Sequence, residues 1–274
     1  MTPLVVVIPT KNRRVLLARA LASVFSQDYG PYRVVVVDDG STDDTRAYLD
    51  GLAEPRLTII RHEASRGVNA ARNAGYRTLV EGEWAVPLDD DDYFLPGAFA
   101  IMAAAISQAP ATISIIAFNI RFRSRTGEEQ EGGLQFVSGD TEHDLTYAET
   151  MTGAGLRVLG EWRSALKWTL FPRYLFREDV NGFEGEWWMR VAHDGIGVRF
   201  VRTPSVIMID WQHPGEHLNE VAARRDPRAF LRANLRVLRD HSAFLLGHPR
   251  TLLTRLSIVL RLVFRAVFGY SRGT

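Results

Sequence analysis

The feature that most constrains the fold of this chain is a regular alternation of apolar runs and helical patterns through its first hundred residues. Leu4–Ile8 and Val34–Val37 are continuous, largely β-branched runs, which predict strands buried on both faces. Arg56–Ile60 and Trp84–Leu88 predict two further strands. The predicted helices lie between and after these strands, at Val15–Phe25, Asp43–Leu52 and Val68–Val80. The order predicts an α/β fold with a mostly parallel central sheet and helices on both faces.

Polar clusters follow three of these predicted strands, at the point where each strand ends. Pro9–Arg13 follows the first strand, Asp38–Ser41 the second and Asp89–Asp92 the fourth. Ligands of open α/β sheets bind at the carboxyl ends of the strands, so the clusters predict one shared site. Ser41 or Thr42 is the expected N-cap of the second helix. Neither a P-loop nor a G-x-G-x-x-G sequence is present, which disfavours nucleotide hydrolysis and dinucleotide cofactors.

The cluster after the fourth predicted strand consists of four consecutive carboxylates, Asp89–Asp92. Adjacent negative charges repel one another, and a divalent cation is the simplest way to hold them together at a strand end. A hard cation bound by one or two carboxylates keeps open positions for substrate phosphates. The run therefore predicts a site for Mn²⁺ or Mg²⁺ with a diphosphate. The alternative is an acidic turn in which one or two aspartates cap the helix that begins near Pro96.

Two other positions have side chains suited to a nucleoside. Asp38 and Asp39 can accept hydrogen bonds from an imide N–H or from ribose hydroxyls, although an Asx turn before the second helix is an alternative. Arg72 lies in a helix of small residues, Gly67–Gly75, that can pack closely on a neighbour. Arg72 would then reach a base carbonyl or a phosphate, whereas its alternative is a solvated surface position.

Composition narrows the setting of such a site. With 274 residues, 46% of them hydrophobic, the chain can build one large α/β domain or a domain with an appendage. The net charge is only +1 and no basic block is interleaved with aromatic residues, so we expect no nucleic-acid partner. There are no cysteines, and the segment before Leu4 is too short for a secretory signal. A cytoplasmic location is expected.

Taken in order, the motifs resemble those of the family 2 glycosyltransferases, which have the GT-A fold. The resemblance covers about the first 100 residues. It implies an inverting, metal-dependent enzyme that transfers a sugar from a UDP- or dTDP-linked donor to a saccharide or lipid-linked saccharide in bacterial surface-glycan assembly. A small natural product as acceptor, or an inactive nucleotide-sugar or glycan-binding module, are the alternatives. The motifs are Val7–Arg13, Ser23–Gln27, Val36–Asp43, Gly67–Gly75 and Leu88–Asp92 followed by Pro96.

The resemblance also implies roles for individual residues. The strand-end and helix positions would bind the nucleotide-sugar, and the D-x-D would hold Mn²⁺ or Mg²⁺ together with a histidine after the last strand. Asp91 is the first choice as metal ligand, and the extra aspartate leaves the register open by one residue. The nucleotide-sugar positions are Pro9, Thr10, Asn12, Arg13, Asp38, Asp39, Arg72, Asp89 and Asp90, and the metal positions are Asp91, Asp89 and His213.

The family's catalytic base is a carboxylate in a short acidic motif that precedes an arginine. The matching region here is Asn181–Arg190, which is shorter than the usual motif. Counting back from Arg190 favours Glu184 as the base, whereas alignment on the tryptophan pair favours Glu186. We predict Glu186 in preference to Glu184. The alternative is that both are solvated acids beside core tryptophans.

The last part of the chain differs in charge from the rest. From Glu220 to the end there are eleven arginines and three acidic residues, a net charge of +8, which leaves −7 for residues 1–219. Apolar residues line one side of a predicted helix over 252–268, with Arg261 and Arg265 one turn apart on another side. This pattern predicts an interfacial helix on an anionic membrane, at its inner face. Packing on the catalytic domain, or on a partner subunit of a homo-oligomer, is the alternative.

We therefore divide the chain into three predicted parts. Residues 1–100 form the nucleotide-sugar half of the catalytic domain, 101–219 the acceptor-side half, and 220–274 a basic amphipathic helical tail.

Overall fold

The computed structural model describes residues 1–132, 135–136, 140–153, 158–159, 161–212 and 226–268. The strands are β1 Leu4–Thr10, β2 Tyr32–Asp38, β3 Leu57–Arg61, β4 Trp84–Pro87, β5 Tyr93–Phe94, β6 Ile113–Phe118, β7 Ile120–Arg123, β8 Glu129–Gly132, β9 Gln135–Phe136, β10 Glu142–Asp144, β11 Val158–Leu159, β12 Arg163–Lys167, β13 Gly197–Val201 and β14 Ile207–Asp210. The helices are α1 Arg14–Phe25, α2 Thr45–Asp50, α3 Val68–Tyr76, α4 Ala98–Gln108, α5 Tyr147–Thr152, α6 Glu184–His193, α7 Pro227–Asp240, α8 Ser242–Leu246 and α9 Pro249–Phe268.

The main sheet has eight strands in the order β10-β13-β6-β12-β4-β1-β2-β3. β1 pairs in parallel with both β2 and β4, and β2 pairs in parallel with β3. β12 lies antiparallel between β4 and β6. A second sheet, β5-β14-β7-β8, adjoins it. The predicted α/β fold with a mostly parallel sheet is confirmed, and the four predicted strands are all present.

Both faces of the sheet are covered, as continuous apolar strands require. Along β1 the side chains alternate between two cores, with Leu4, Val6 and Ile8 in one and Val5 and Val7 in the other. The first core includes apolar residues of α1, α2 and α4, and the second includes residues of α3 and α6. Because β1, β2 and β4 are parallel neighbours, their carboxyl ends lie together at one edge of the covered sheet.

Helix α3 packs closely on this sheet because of a glycine. A Cβ atom at Gly75 would lie 2.3 Å from Cγ1 of Val7, a distance that no side chain tolerates. The predicted close approach of the small-residue helix is therefore confirmed. It places Arg72, one turn before Gly75, over the ends of the strands.

The expected cap of the second helix was wrong. Asp44 occupies the N-cap position of α2 and makes no side-chain capping bond. Ser41 and Thr42 instead bind the loop after β1: Asn12 N–H donates to Ser41 Oγ at 2.9 Å, and Asn12 Oδ1 accepts from the N–H of Thr42 at 2.7 Å. The backbone of Asn12 has φ of 55°, a conformation that asparagine tolerates better than most residues.

The C-terminal helices pack on α5, on α6 and on the loop before α6. Met151 of α5, Met189 of α6, Val237 of α7 and Leu245 of α8 form a small buried cluster. Leu262 of α9 is buried, so one side of the predicted tail helix packs on the protein itself. Of the helices in the described ranges, none is long and apolar enough to cross a bilayer.

Candidate active site

A cavity of about 320 Å³ opens at the carboxyl ends of β1 and β4. Six carboxyl groups and three guanidinium groups line it, which leaves an excess of negative charge for a cation to offset. The lining residues are Pro9, Arg13, Val68, Arg72, Asp89, Asp90, Asp91, Asp92, Glu161, Arg163, Gly182, Glu184, Ile209 and Trp211.

Three aspartates of the acidic run converge in this cavity. Asp89, Asp91 and Asp92 each present a carboxylate oxygen, and these oxygens all lie within 4.8 Å of one another. A set of oxygen donors alone suits a hard cation such as Mg²⁺ or Mn²⁺. Asp90 has a different environment, since its carboxylate accepts from Thr10 Oγ1 at 2.8 Å and from Arg13 Nη1 at 3.0 Å. The run thus divides into three possible metal ligands and one residue bonded to the β1 loop.

Guanidinium groups hold the aspartates in place. Arg13 Nη1 lies 2.9 Å from Asp91 Oδ2, and Arg72 Nη2 donates to Asp89 Oδ1 at 2.7 Å. Arg163, at the start of β12, donates to Asp92 Oδ2 at 2.9 Å. Each aspartate that can hold a metal therefore has a cationic partner from a different element.

Burial and these cations shift the pKa values of the aspartates in opposite directions. Burial raises the pKa of Asp90 to about 7, despite the opposing effect of Arg13. Burial likewise raises the pKa of Asp92 to about 7 against the effect of Arg163. For Asp89 the guanidinium groups of Arg72 and Arg163 outweigh burial and lower the pKa. Asp89 is accordingly better maintained as an anion than Asp90 or Asp92.

The two glutamates proposed for the base occupy different environments. Glu184 is the first residue of α6, lines the cavity, and accepts a hydrogen bond from Arg72 Nη1. Glu186 is buried and forms ion pairs with Arg177 at 2.8 Å and Arg190 at 3.0 Å. Glu184 is therefore the one of the two that lines the cavity, whereas the carboxylate of Glu186 is enclosed by two arginines away from the cavity lining. The choice between them as base stays a prediction.

Two asparagines of α3 fix the loop that leads to Glu184. Asn69 Nδ2 donates to the carbonyl of Val180 at 2.6 Å. Asn73 exchanges two hydrogen bonds with the backbone of Phe176, both at 2.8 Å. The loop is therefore tied to the same helix that carries Arg72, and Arg72 joins Glu184 to the acidic run.

The predicted nucleoside residues Asp38 and Asp39 do not line the cavity. Asp39 accepts from His62, Ser65 and the N–H groups of Arg66 and Gly67, so it fixes the loop before α3. Asp38 is fully buried, and one of its oxygens accepts from Ser41 N–H. The other lies 4.0 Å from Nε of Arg46 and has no hydrogen-bond partner within the described part of the chain.

Of the remaining predicted positions, Pro9 and Arg13 line the cavity. Thr10 and Asn12 do not line it and instead join loops, as described above. His213 lies outside the described residues.

A second cavity, of about 430 Å³, shares a wall with the first. The shared residues include Arg72, Asp89, Arg163 and Glu184. The remainder of its lining is largely aromatic, which suits contact with a sugar ring or another apolar surface. Its aromatic residues are Tyr76, Trp162, Phe176, Trp187 and Trp188.

Sequence reasoning did not identify Arg163 or Arg19 as part of this site, and it assigned Asp92 no individual role. Arg19 of α1 donates to the backbone carbonyl of Asp91 and to the carboxylate of Asp210 at the end of β14. Asp92 was visible as the last member of the acidic run. Arg163 and Arg19 have no local signal, because each reaches the run only through the packing of distant elements.

The mostly parallel sheet, with an acidic, arginine-bridged cavity at the carboxyl ends of its strands, is the GT-A fold. The model of the family described as "Glycosyl transferase family 2" matches residues 5–158. The chain belongs to that family.

Among curated proteins, the chain is similar to the Campylobacter jejuni enzyme named GalNAc(5)-diNAcBac-PP-undecaprenol beta-1,3-glucosyltransferase. The two are 28% identical over 194 residues, which cover 70% of this chain and 60% of the relative. It is also 37% identical over 98 residues to the putative colanic acid biosynthesis glycosyl transferase WcaA of Escherichia coli, covering 35% of each. The chain thus spans only part of the length of these relatives.

Two solved structures confirm the fold. S. aureus TarS 1-349 in complex with UDP-GlcNAc has a TM-score of 0.66 and 18% identity, covering 99% of this chain and 74% of that one. The mannosyltransferase PcManGT from Pyrobaculum calidifontis, in complex with GDP-Man and Mn²⁺, has a TM-score of 0.59 and 19% identity, covering 100% and 76%.

Proposed function

We propose that the chain is a metal-dependent, inverting glycosyltransferase that transfers a sugar from a UDP- or dTDP-linked donor to a saccharide or lipid-linked saccharide in bacterial glycan assembly. One observation carries the proposal: Arg72 joins the candidate base Glu184 to Asp89, a member of the metal-capable aspartate cluster, inside one cavity. Metal, leaving group and base are the parts that such a transfer requires.

Asp89, Asp91 and Asp92 would hold Mn²⁺ or Mg²⁺, since their oxygens converge and are hard ligands. The ion, when bound, offsets the charge that develops on the departing nucleoside diphosphate. Arg13 and Arg72 each donate a hydrogen bond to a carboxylate oxygen of this cavity. Their guanidinium groups would donate in the same way to the oxygens of a diphosphate bound there. The buried, unbonded oxygen of Asp38 is the candidate acceptor for a nucleobase N–H.

Glu184 acts as the general base in this proposal. An acceptor hydroxyl oxygen bonds to the anomeric carbon of the donor sugar, the bond from that carbon to the diphosphate oxygen breaks, and Glu184 receives the hydroxyl proton. The carboxylate lies in the wall shared by the two cavities, so it is accessible from both sides. The donor is assigned to the first cavity and the acceptor to the aromatic second cavity.

Two glutamates on the same helix provide a matched test of the base. Glu184→Gln removes the base and should lower sugar transfer about 10²- to 10⁴-fold while donor affinity is retained. Glu186→Gln should leave the rate per folded molecule near that of the wild type and lower the free energy of unfolding by roughly 2 kcal/mol, because it weakens a buried ion pair.

The assay measures transfer from UDP- and dTDP-sugars to lipid-linked saccharides, together with donor affinity by calorimetry. Wild-type rates in Glu184→Gln would remove Glu184 from the mechanism. A selective loss in Glu186→Gln would restore the assignment made from sequence.

A lipid-linked acceptor would be presented at a membrane surface, so the enzyme would act there. We infer that the chain docks on the anionic inner surface of a membrane through α9, because the first relative is named for a lipid-linked substrate. Leu253, Leu256, Leu260, Val263 and Phe264 of this helix are exposed, between 38% and 68%. Exposed Arg261 belongs to the same helix, and basic residues strengthen binding to anionic lipid.

Co-sedimentation at low salt with phosphatidylcholine vesicles, with and without phosphatidylglycerol, tests the docking. We expect binding only to the anionic vesicles. Absence of binding to both would contradict the docking and leave the transfer proposal intact, because transfer to a soluble saccharide does not require a membrane.

A further inference from the structure

Arg19 of α1 contacts the acidic run through its backbone. Its guanidinium group donates to the carbonyl oxygen of Asp91 and to the carboxylate of Asp210 at the end of β14. Asp210 is 2% exposed, and it also accepts from Arg123 at 3.4 Å and from the N–H of Gln212 at 3.1 Å. A buried carboxylate therefore fixes Arg19, and the second bond of Arg19 fixes the carbonyl group of Asp91.

Two further side chains continue these bonds along the chain. Ser23 lies one turn after Arg19 on α1, and its hydroxyl accepts from the N–H of Phe94 at 3.0 Å. Gln27 follows four residues later, just past the end of the helix, and donates to the carbonyl oxygen of Leu95 at 3.1 Å. Side chains four positions apart lie on the same face of a helix. These three side chains, which we call the α1 row, thus follow the segment that leaves the acidic run.

Strand β14 holds the same segment as well. Tyr93 pairs antiparallel with Met208 of β14, and the N–H of Leu95 donates to the carbonyl oxygen of Val206 at 2.9 Å. The guanidinium carbon of Arg19 lies 4.9 Å from the centroid of the Tyr93 ring, which is within the range of a cation–π contact. The segment is thus attached to two elements, and the α1 row includes the attachment that reaches the run itself.

The backbone of the run sets the positions of its carboxylates. The N–H of Asp92 donates to the carbonyl oxygen of Asp89 at 3.0 Å, so the run forms a tight turn. Within this turn the carboxylate oxygens of Asp89, Asp91 and Asp92 lie within 4.8 Å of one another. A backbone rotation at Asp91 would move its carboxylate relative to the other two. A hydrogen bond to the carbonyl group of the same residue opposes that rotation.

The α1 row can act on a bound ion only through this backbone. None of its three side chains belongs to the described lining of either cavity. Arg13, in contrast, lines the first cavity and bonds to the carboxylate of Asp91. A change in the α1 row therefore leaves the cavity surface as it is and alters the support beneath it.

We propose that Arg19, assisted by Ser23 and Gln27, is a positioning residue for a divalent ion in the acidic run. It fixes the backbone so that the oxygens of the three metal-capable aspartates stay together. The inference rests on the proposed function, because it requires that the run binds Mn²⁺ or Mg²⁺. It also gives the sequence motif Ser23–Gln27 a task, since this motif holds the segment that follows the aspartates.

Removal of Arg19 separates positioning from charge, because the two effects on the affinity for Mn²⁺ have opposite signs. Like charges repel, so loss of a guanidinium group beside the run would by itself strengthen the binding of a cation. Loss of the bond to the carbonyl group of Asp91 would weaken it, since partners that orient metal ligands contribute about 10- to 100-fold in metal affinity. We expect Arg19→Gln to bind Mn²⁺ at least about tenfold more weakly than the wild type.

Ser23→Ala tests the row without a change of charge. We expect it to weaken Mn²⁺ binding by about fivefold, because it loses one hydrogen bond to the segment. Arg14→Gln is the control for charge, since it removes one guanidinium group from an exposed ion pair with Asp44 on the same helix. Ser26→Ala is the control for Ser23→Ala, because its exposed hydroxyl donates to the carbonyl oxygen of Ser23. Both controls should bind Mn²⁺ like the wild type.

The affinity of the full chain for Mn²⁺ is measured by electron paramagnetic resonance of the free ion, with and without UDP. Urea denaturation measures stability in parallel. A residue that only supports the fold would lower stability and leave the affinity of the folded protein unchanged. Equal or tighter Mn²⁺ binding by Arg19→Gln would overturn the proposal. If that variant does not fold, Arg19→Lys replaces it and should also bind Mn²⁺ more weakly than the wild type, because lysine lacks the planar fork that reaches two acceptors.

Hydrogen exchange in the presence of EDTA tests the attachment itself. The amide of Phe94 should exchange about fivefold faster in Ser23→Ala than in Ser26→Ala, because its acceptor is lost. Equal exchange in the two variants would overturn the attachment. If the wild type binds Mn²⁺ neither alone nor with UDP, the proposed metal site is wrong, and the positioning role is wrong with it. If the wild type binds Mn²⁺ and Arg19→Gln and Ser23→Ala bind it equally well, the metal site stands and only the positioning role is wrong.

Discussion

At the scale of single residues, neighbouring acidic side chains at a strand end have separate tasks. Asp38 and Asp39 are adjacent, yet Asp39 accepts four hydrogen bonds from the loop before α3 and Asp38 keeps one buried oxygen unbonded. Successive strand residues point to opposite faces, so the two carboxylates cannot share one environment. The sequence predicts the pair but not which member serves the loop, because the donors come from residues 62–67.

The bonds to Asp39 lead to a prediction about stability in acid. Burial alone would raise the pKa of Asp39, but the bonds from His62, Ser65 and two backbone N–H groups outweigh it and lower the pKa below its ordinary value of 3.8. A carboxylate with a depressed pKa stabilises the fold above the ordinary value, and that stability is lost as pH falls through the folded-state value. Wild-type protein should therefore lose stability below about pH 4.

Asp39→Asn should lower the free energy of unfolding at pH 7 by roughly 2 kcal/mol and flatten its dependence on acid pH. Urea denaturation over a series of pH values measures both effects. Asp28→Asn, at an exposed position, is the control and should match the wild type. Parallel pH curves for Asp39→Asn and wild type would contradict the assignment.

Among the site residues, those in local motifs could be placed from the sequence and those without a motif could not. Arg13, Arg72 and Asp89 follow strands or lie on the helix that the pattern predicts, and the cavity brings them together. Arg163 reaches Asp92 only because β12 inserts antiparallel between β4 and β6. That insertion depends on long-range pairing, for which the local sequence around Arg163 has no signal.

At the scale of elements, helix geometry explains why Glu184 and Glu186 have different surroundings. Side chains two positions apart in an α-helix point about 200° apart around the helix axis. Glu184 and Glu186 therefore cannot both face the cavity. In the structure Glu184 lines the cavity and Glu186 pairs with Arg177 and Arg190. The sequence does not show which glutamate takes which side, because the loop before α6 is held by Asn73 of another helix.

Packing of α3 on β1 gives a prediction for an element. Gly75→Ala should lower the free energy of unfolding by about 1 to 3 kcal/mol, because the new methyl group would overlap Val7. Nucleotide affinity should fall as well, since α3 also positions Arg72. Gly51→Ala is the matched control: its Cβ would meet nothing closer than 3.5 Å, and φ there is −82°. Thermal denaturation compares them, and equal midpoints would refute the close packing.

At the scale of the whole molecule, charge is divided between two regions with different surfaces. The acidic cavity lies in the body of the protein, and the C-terminal helices are basic and present exposed leucines. Sequence periodicity predicted the α9 helix and its apolar side. It could not separate the side that packs on the protein, at Leu262, from the side that faces solvent, because both are apolar in a helix of twenty residues. The division into parts at 100 and 219 stays a prediction.

The central claim is that the aspartate cluster holds a nucleoside diphosphate through a divalent ion. Calorimetry tests it without knowledge of the acceptor, by titrating UDP, dTDP and GDP into wild-type protein with Mn²⁺ and with EDTA. We predict that UDP or dTDP binds with Mn²⁺, and that EDTA or Asp91→Asn weakens this binding by at least tenfold, about 1.4 kcal/mol. Asp28→Asn should bind like wild type. Binding that is unchanged by EDTA and by Asp91→Asn, or no binding of any of the three nucleotides, would contradict the account.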